Sequence, residues 1–185
     1  MAKLPYDMLA PLLWPNGARS NVWAVLDCAR DERVWSTLQA TTLPRQCLYA
    51  GALHPSLERA APFLVQLQFG ELQTMRVLNR AWGQSWGILL TAGTSLTALR
   101  AHLRKFVRVT GPQGKPLVFR YYDPRVMRVF LPTCSSVQLK DLFGPNIECI
   151  ATEDDSSPAQ LIEFRLDAER RLQRSVVSLA SDGIL

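Results

Sequence analysis

Histidine is scarce in this 185-residue chain, with only His54 and His102, and the four cysteines (Cys28, Cys47, Cys134, Cys149) include no CxxC pair. No histidine stands close enough in sequence to a cysteine to complete a zinc-ligand spacing, so neither a metal nor a disulfide framework is expected. Cys28 and Cys149 sit inside apolar runs, which reads as reduced core thiols. The chain also has no GxSxG, P-loop, HExxH or GxGxxG, and no cofactor is expected. Each histidine reads as structural or solvated, because no serine or cysteine motif marks a nucleophile beside it. What stays open for catalysis is a site assembled from distant residues, centred on His102 and Asp123, and the expectation is that the protein is not an enzyme. No apolar run is long enough to span a membrane. The apolar stretch Leu4 to Trp14 does not read as a signal peptide: Pro5, Pro11 and Pro15 interrupt it, Asp7 charges it, and no small-residue cleavage site follows. A cytoplasmic protein is expected.

What is present is the composition of an ordinary globular protein, 48% hydrophobic and 20% charged. The length favours one domain, residues 1–185, with its core at about 21–151 and a separate C-terminal segment 152–185. Twenty-one basic against 16 acidic residues give a net charge of +5. Arg100, Arg104, Lys105 and Arg108 supply a basic surface for a phosphate- or nucleic-acid-binding module. The same residues also suit an exposed helix face and the negative end of a helix dipole, and with no binding motif beside them a nucleic acid partner is not expected.

The periodicities predict alternating strands and helices. After a proline-punctuated arm, 21–29 reads as a buried strand and 31–40 as a helix started by Asp31 and Glu32. A short strand lies at 46–50. Phe63, Val65, Leu67 and Phe69 alternate with Gln66 and Gln68, predicting a strand with one wet face. A helix over about 71–82 places Leu72, Met75 and Leu78 on one side, and 86–92 is a second buried strand. Thr94 or Ser95 caps a helix whose Leu96, Leu99, Leu103 and Phe106 recur at helical spacing. Gly111-Pro112-Gln113-Gly114 closes a hairpin between 107–110 and 115–122. Ser135 or Ser136 starts a short helix that Gly144-Pro145 stops. Then follow a strand at 147–151, an acidic loop at 152–158, and a strand in which Ile162, Phe164 and Leu166 alternate with Glu163 and Arg165. The tail from about Ala168 to Ala180 reads as an amphipathic helix using Leu172, Val176 and Leu179, which either docks on the core or lies in a partner's groove. The fold class expected is α/β, with α+β as the alternative: a mixed sheet flanked by helices, with a central hairpin.

The most informative stretch is Phe119-Arg120-Tyr121-Tyr122-Asp123-Pro124-Arg125, where a strand pattern meets a helix start. Asp123 is placed to cap the backbone N–H of Arg125 or Val126, with Pro124 at the first helical position where its missing donor costs nothing. That helix carries Val126, Val129 and Phe130. Arg120, Tyr122 and Arg125, beside the capping Asp123, are also candidates for a fixed polar and aromatic patch offered to another protein, since arginine and tyrosine are favoured interface anchors.

The order Trp23-Ala24-Val25-Leu26-Asp27-Cys28-Ala29, Ala61-Pro62-Phe63-Leu64-Val65-Gln66-Leu67, Trp86-Gly87, His102-Leu103-Arg104, Phe119 to Arg125 and Leu142-Phe143-Gly144-Pro145 resembles the bacterial type VI secretion effector adaptor family. That family was long catalogued as a domain of unknown function. The likeness runs from about Asn21 to Ala151, and the FRYYDPR block is its most specific element. Cys28 departs from the small glycine or alanine expected there, and a thiol fits the same space. The resemblance implies a chaperone that binds a toxic effector in the cytoplasm and helps load it onto the VgrG spike, with no catalytic group. It leaves the segment after Ala151 unmatched, a natural place for cargo specificity. The partner-binding candidates are therefore Arg120, Tyr122, Asp123, Arg125, Leu172, Val176 and Leu179.

Overall fold

A computed structural model describes residues 4–179. In chain order the elements are α1 (Pro5–Leu13), β1 (Val22–Asp27), α2 (Glu32–Gln39), β2 (Arg45–Cys47), α3 (Pro55–Glu58), β3 (Pro62–Leu67), α4 (Leu72–Ala81), β4 (Gly87–Ala92), α5 (Leu96–Leu103), β5 (Arg108–Thr110), β6 (Pro116–Val118), α6 (Pro124–Phe130), α7 (Ser136–Phe143), β7 (Ile147–Asp154), β8 (Ser157–Leu166) and β9 (Leu172–Ser178). Seven strands form one sheet in the order β2-β3-β1-β4-β7-β8-β9, and β5 and β6 form a separate hairpin. The α/β class and the central hairpin are as expected; every pairing in the large sheet is antiparallel.

The sheet is covered on both faces, which explains why β1 is buried at every position. Val22, Ala24 and Leu26 point to one side, where they meet Leu9 and Leu13 of α1, Val34 and Leu38 of α2, and Val77 and Leu78 of α4. Trp23 and Val25 point to the other, against Leu99 and Leu103 of α5, Met127 of α6 and Leu139, Leu142 and Phe143 of α7. Gly87 lets β4 lie close to β1: a Cβ there would sit 1.9 Å from the Val25 carbonyl oxygen. Gly144 ends α7 at φ 56°, where a Cβ would also strike the His102 ring at 2.7 Å.

Several local expectations change on the two-sided sheet. The N-terminal arm is helix α1: Pro5 occupies the first turn, and Tyr6, Leu9, Leu13 and Trp14 are buried. Tyr6 fixes it, its N–H donating to Asn79 Oδ1 at 2.8 Å and its hydroxyl accepting from Gly70 N–H at 2.9 Å. Strand β3 has no wet face, because Leu64 fills the second core as fully as Phe63 and Val65 fill the first. Helix α4 buries Thr74, Val77 and Leu78, while Leu72 is exposed. In α6 the inward side chain is Met127, and Val129 is 71% exposed. The acidic segment after Ala151 continues β7 to Asp154, because Glu153 is turned inward to accept Gly83 N–H at 2.6 Å and Ser85 N–H at 2.5 Å.

The largest correction is the tail, which is strand β9. The Arg171 N–H donates to Asp167 Oδ1 at 2.8 Å and Arg170 takes φ 62°, turning the chain back so that 172–178 pairs along β8. Leu172 and Val176 are an even number of residues apart and share a face in a strand as they would in a helix, and the Val176-Val177 pair suits the extended form. Leu179 lies just past the strand, buried, its N–H donating to the Ala159 carbonyl at 2.8 Å.

Candidate functional site

The FRYYDPR segment is divided among four tasks by its geometry. Arg120 reaches across to the buried carboxylate at the end of β1: Asp27 Oδ2 accepts Arg120 Nε at 3.0 Å and also Nη2, and Asp27 Oδ1 accepts the Ala29 N–H at 3.0 Å. Tyr121 and Tyr122 are both buried, so the strand alternation predicted through this stretch stops at Val118. The Tyr121 hydroxyl donates to the Leu103 carbonyl at 3.1 Å, and the two rings meet edge to face at 5.4 Å. Asp123 caps α6: Oδ1 accepts the Arg125 N–H at 3.0 Å and Nε at 2.9 Å, and Oδ2 accepts Nη2 at 2.6 Å. Burial raises the Asp123 carboxyl, but the hydrogen bonds from Arg125 outweigh it and hold the group below the usual carboxylate range. Burial likewise works against the Arg120 cation, and its bond to Asp27 more than compensates.

Phe119, the first residue of the motif, does something different. Its N–H donates to the Val107 carbonyl at 2.9 Å, closing the base of the hairpin, and its ring meets Phe130 edge to face at 4.7 Å. This pair is the common wall of two open basins. One, of about 300 Å³, is lined by Phe106, Val109, Phe119, Phe130, Gln138, Asp141 and Leu142. The other runs over Val126, Val129 and Thr133 to the Asp123–Arg125 pair. Val109 and Leu117 face each other across the hairpin, 39% and 49% exposed, and Val118 is exposed on its other side. Apolar side chains open to water on this scale mark an interaction surface more often than a fold requirement.

Of the sequence candidates, Asp123 and Arg125 line the second basin, and Arg120 is held by Asp27. Tyr122 belongs to the core, Leu172 and Val176 lie on edge strand β9, and Leu179 is buried. The basic group is dispersed in role: Arg100 is spent on the Cys47 carbonyl at 2.6 Å and the Tyr49 carbonyl at 3.2 Å, while Lys105 and Arg108 are exposed. His102 donates from Nε2 to the Leu142 carbonyl at 2.8 Å and packs on Phe106, and His54 caps α3 by accepting the Ser56 N–H. Cys28 and Cys149 are buried free thiols, each pushed up to about 12, chiefly by burial. Among the described residues no group of three or more His, Cys, Asp or Glu is placed to hold a metal ion, and no helix is long and apolar enough to cross a membrane. Sequence reasoning passed over Phe106, Val109 and Val129 as ordinary apolar positions; the signal was a hairpin with valine and leucine on both of its faces.

The family model of a domain of unknown function, DUF4123, matches residues 22–141. The chain belongs to the DUF4123 family. The matched span takes in β1 through most of α7, and so both the Asp27–Arg120 ion pair and the whole of the Phe119–Phe130 wall fall within the DUF4123 domain. Strands β7, β8 and β9, which extend its sheet, lie beyond the match. No curated protein and no solved structure matches the chain.

Proposed function

We propose that this DUF4123 protein is a cytoplasmic adaptor-chaperone that binds a type VI secretion effector and assists its loading onto the VgrG spike. The observation that carries the reading is the family match over 22–141, taken with the adaptor resemblance of the ordered blocks inside it. The geometry is suited to the role. An adaptor needs a rigid scaffold and a surface that shields part of its cargo from water, and a sheet covered on both faces here supports an exposed hairpin and an aromatic-walled groove. No bond is made or broken in this reading.

The test is co-expression of the full chain with the products of the genes that flank it, any effector and spike protein among them included, followed by size-exclusion chromatography. A complex containing the effector, stable on its own and joined by the spike protein, is the expected outcome. Elution of the chain alone in every combination, or recovery with nucleic acid that is lost as salt rises, would overturn it, the latter in favour of phosphate contacts through Lys105 and Arg108.

A further inference from the structure

We infer that β9 pairs with β9 of a second copy of this chain, antiparallel and about a two-fold axis at Val176, so that two seven-stranded sheets run on as one. This contact does not depend on the adaptor role and uses no residue of the basins walled by Phe119 and Phe130. Strand β9 ends the sheet, and β8 is the one element packed extensively against it among the described residues. Five of its seven residues are exposed, Val176 among them at 45%. It lacks the devices that close an edge: it has no proline, no lysine and no break in its register with β8 from Leu172 to Ser178.

The ladder to β8 fixes which backbone groups look outward. The Leu179 N–H donates to the Ala159 carbonyl at 2.8 Å and the Asp167 N–H to the Arg171 carbonyl at 3.0 Å, so the odd-numbered positions from 171 to 179 direct their backbone groups at β8. The N–H and C=O of Leu172, Arg174 and Val176 therefore point away from the sheet.

What suits this edge is the same edge turned round. An antiparallel ladder needs two outward residues opposite each other, and Val176 set against Val176 of the other copy meets that condition, exchanging both hydrogen bonds and placing a β-branched pair on the axis. In that register the two Arg174 side chains, the only charges on the strands, stand about 13 Å apart. The neighbouring register, about Ser175, sets them diagonally on one face, where like charges repel. The opposite edge of the sheet offers no alternative: β2 is three residues long, and Arg100 occupies the carbonyls of Cys47 at 2.6 Å and Tyr49 at 3.2 Å. Pairing of β9 on β9 thus closes with two chains, where β9 on β2 would build an open filament.

The experiment is analytical ultracentrifugation of the full chain over a concentration series, for wild type and three variants. The wild type should pass from the 20.8 kDa monomer to a dimer and no further. Val176→Lys and Val176→Glu each set like charges opposite each other at an exposed position, and each alone should weaken dimerisation at least tenfold. Mixed in equal amounts they should dimerise again, because a lysine then faces a glutamate. Val176→Pro removes an outward N–H and no bond to β8, and should stay folded and monomeric; if it fails to fold, the charged pair decides. A wild type that remains monomeric up to about 1 mM overturns the inference. So does a dimer that none of the variants weakens, which lies elsewhere on the molecule, and so does a lysine and glutamate mixture that stays monomeric, since Val176 then does not face itself. A monomer whose β9 amides gain exchange protection only when the product of a flanking gene is added gives the edge to a foreign strand, and overturns the pairing of copies while leaving the adaptor role intact.

Discussion

The Asp27 carboxylate is the residue on which the arrangement of the motif turns, since it is 1% exposed and its charge is answered by Arg120. Removing the arginine leaves a buried anion unpaired. Arg120→Met should therefore cost about 2 kcal/mol, below the full value for a buried pair because the guanidinium is partly exposed. Asp27→Asn combined with Arg120→Met should cost less than the two single changes added together, which urea unfolding of the double-mutant set measures directly. Asp123 gives a second prediction, one that depends on pH. Its folded-state pKa is depressed, so it contributes stability in full above the ordinary carboxylate range of about 4, and that contribution is lost as pH falls through the folded value. The stability difference between wild type and Asp123→Asn, a substitution that keeps a capping oxygen, should thus be constant near neutrality and shrink below about pH 4. A difference that grows on acidification would show that the carboxylate is not held ionised by Arg125. Among the thiols, Cys47 and Cys134 should alkylate before Cys28 and Cys149 in the native protein, because the latter pair are buried as well as raised in pKa.

At the scale of elements, β9 decides how the sheet ends. It pairs with β8 at every position from Leu172 to Ser178, and Val177 packs on the first core. A chain stopped after Asp167 would present β8 as a ten-residue edge with Leu161 and Phe164 newly uncovered, and should become insoluble or aggregate on concentration. A soluble, monomeric truncation with the wild-type melting temperature would show that β9 contributes nothing to the sheet. This element also shows where the sequence stopped being readable. A stripe at 172, 176 and 179 satisfies a helix and nearly satisfies a strand, and what separates them, a ladder to β8, is a long-range fact that no local pattern carries. Elements with a start signal of their own were legible: Asp31, Ser95, Asp123 and Ser135 each cap the helix they were assigned, and Ser135 completes a capping box with Gln138. The faces of α4 and α6 were legible only in part: Leu78 is buried and Met75 packs half-buried on the first core, but Leu72 is exposed and Val77 is buried, and in α6 Met127 is buried while Val129 is exposed. In the candidate site, the cap at Asp123 could be read from its neighbours. The Asp27 partner of Arg120 could not, since 93 residues separate them.

Across the whole molecule, burial is unevenly shared, and the proposed role uses the inequality. Strands β1, β3 and β4 sit between two helical layers, whereas every residue of β5 and β6 is exposed and the hairpin is secured at its base by Val107 and Phe119. A two-stranded ribbon with no third strand or covering helix is marginal in water, so the hairpin should open far more easily than the sheet. Amide hydrogen exchange reads this gradient. In the free protein the amides of Trp23 to Leu26 and Leu64 to Leu67 should exchange only through global unfolding, and those of the hairpin should exchange many times faster through local opening. On the proposed adaptor role, cargo held against the hairpin face would suppress hairpin opening, because an open hairpin loses Val109 from that surface. Protection should therefore appear at Val109, Leu117 and Phe119 and leave the β1 amides unchanged. A hairpin as slow as β1 before binding would mean it is buttressed by more than its base, and a fast hairpin that stays fast in the complex would place the contact elsewhere on the molecule.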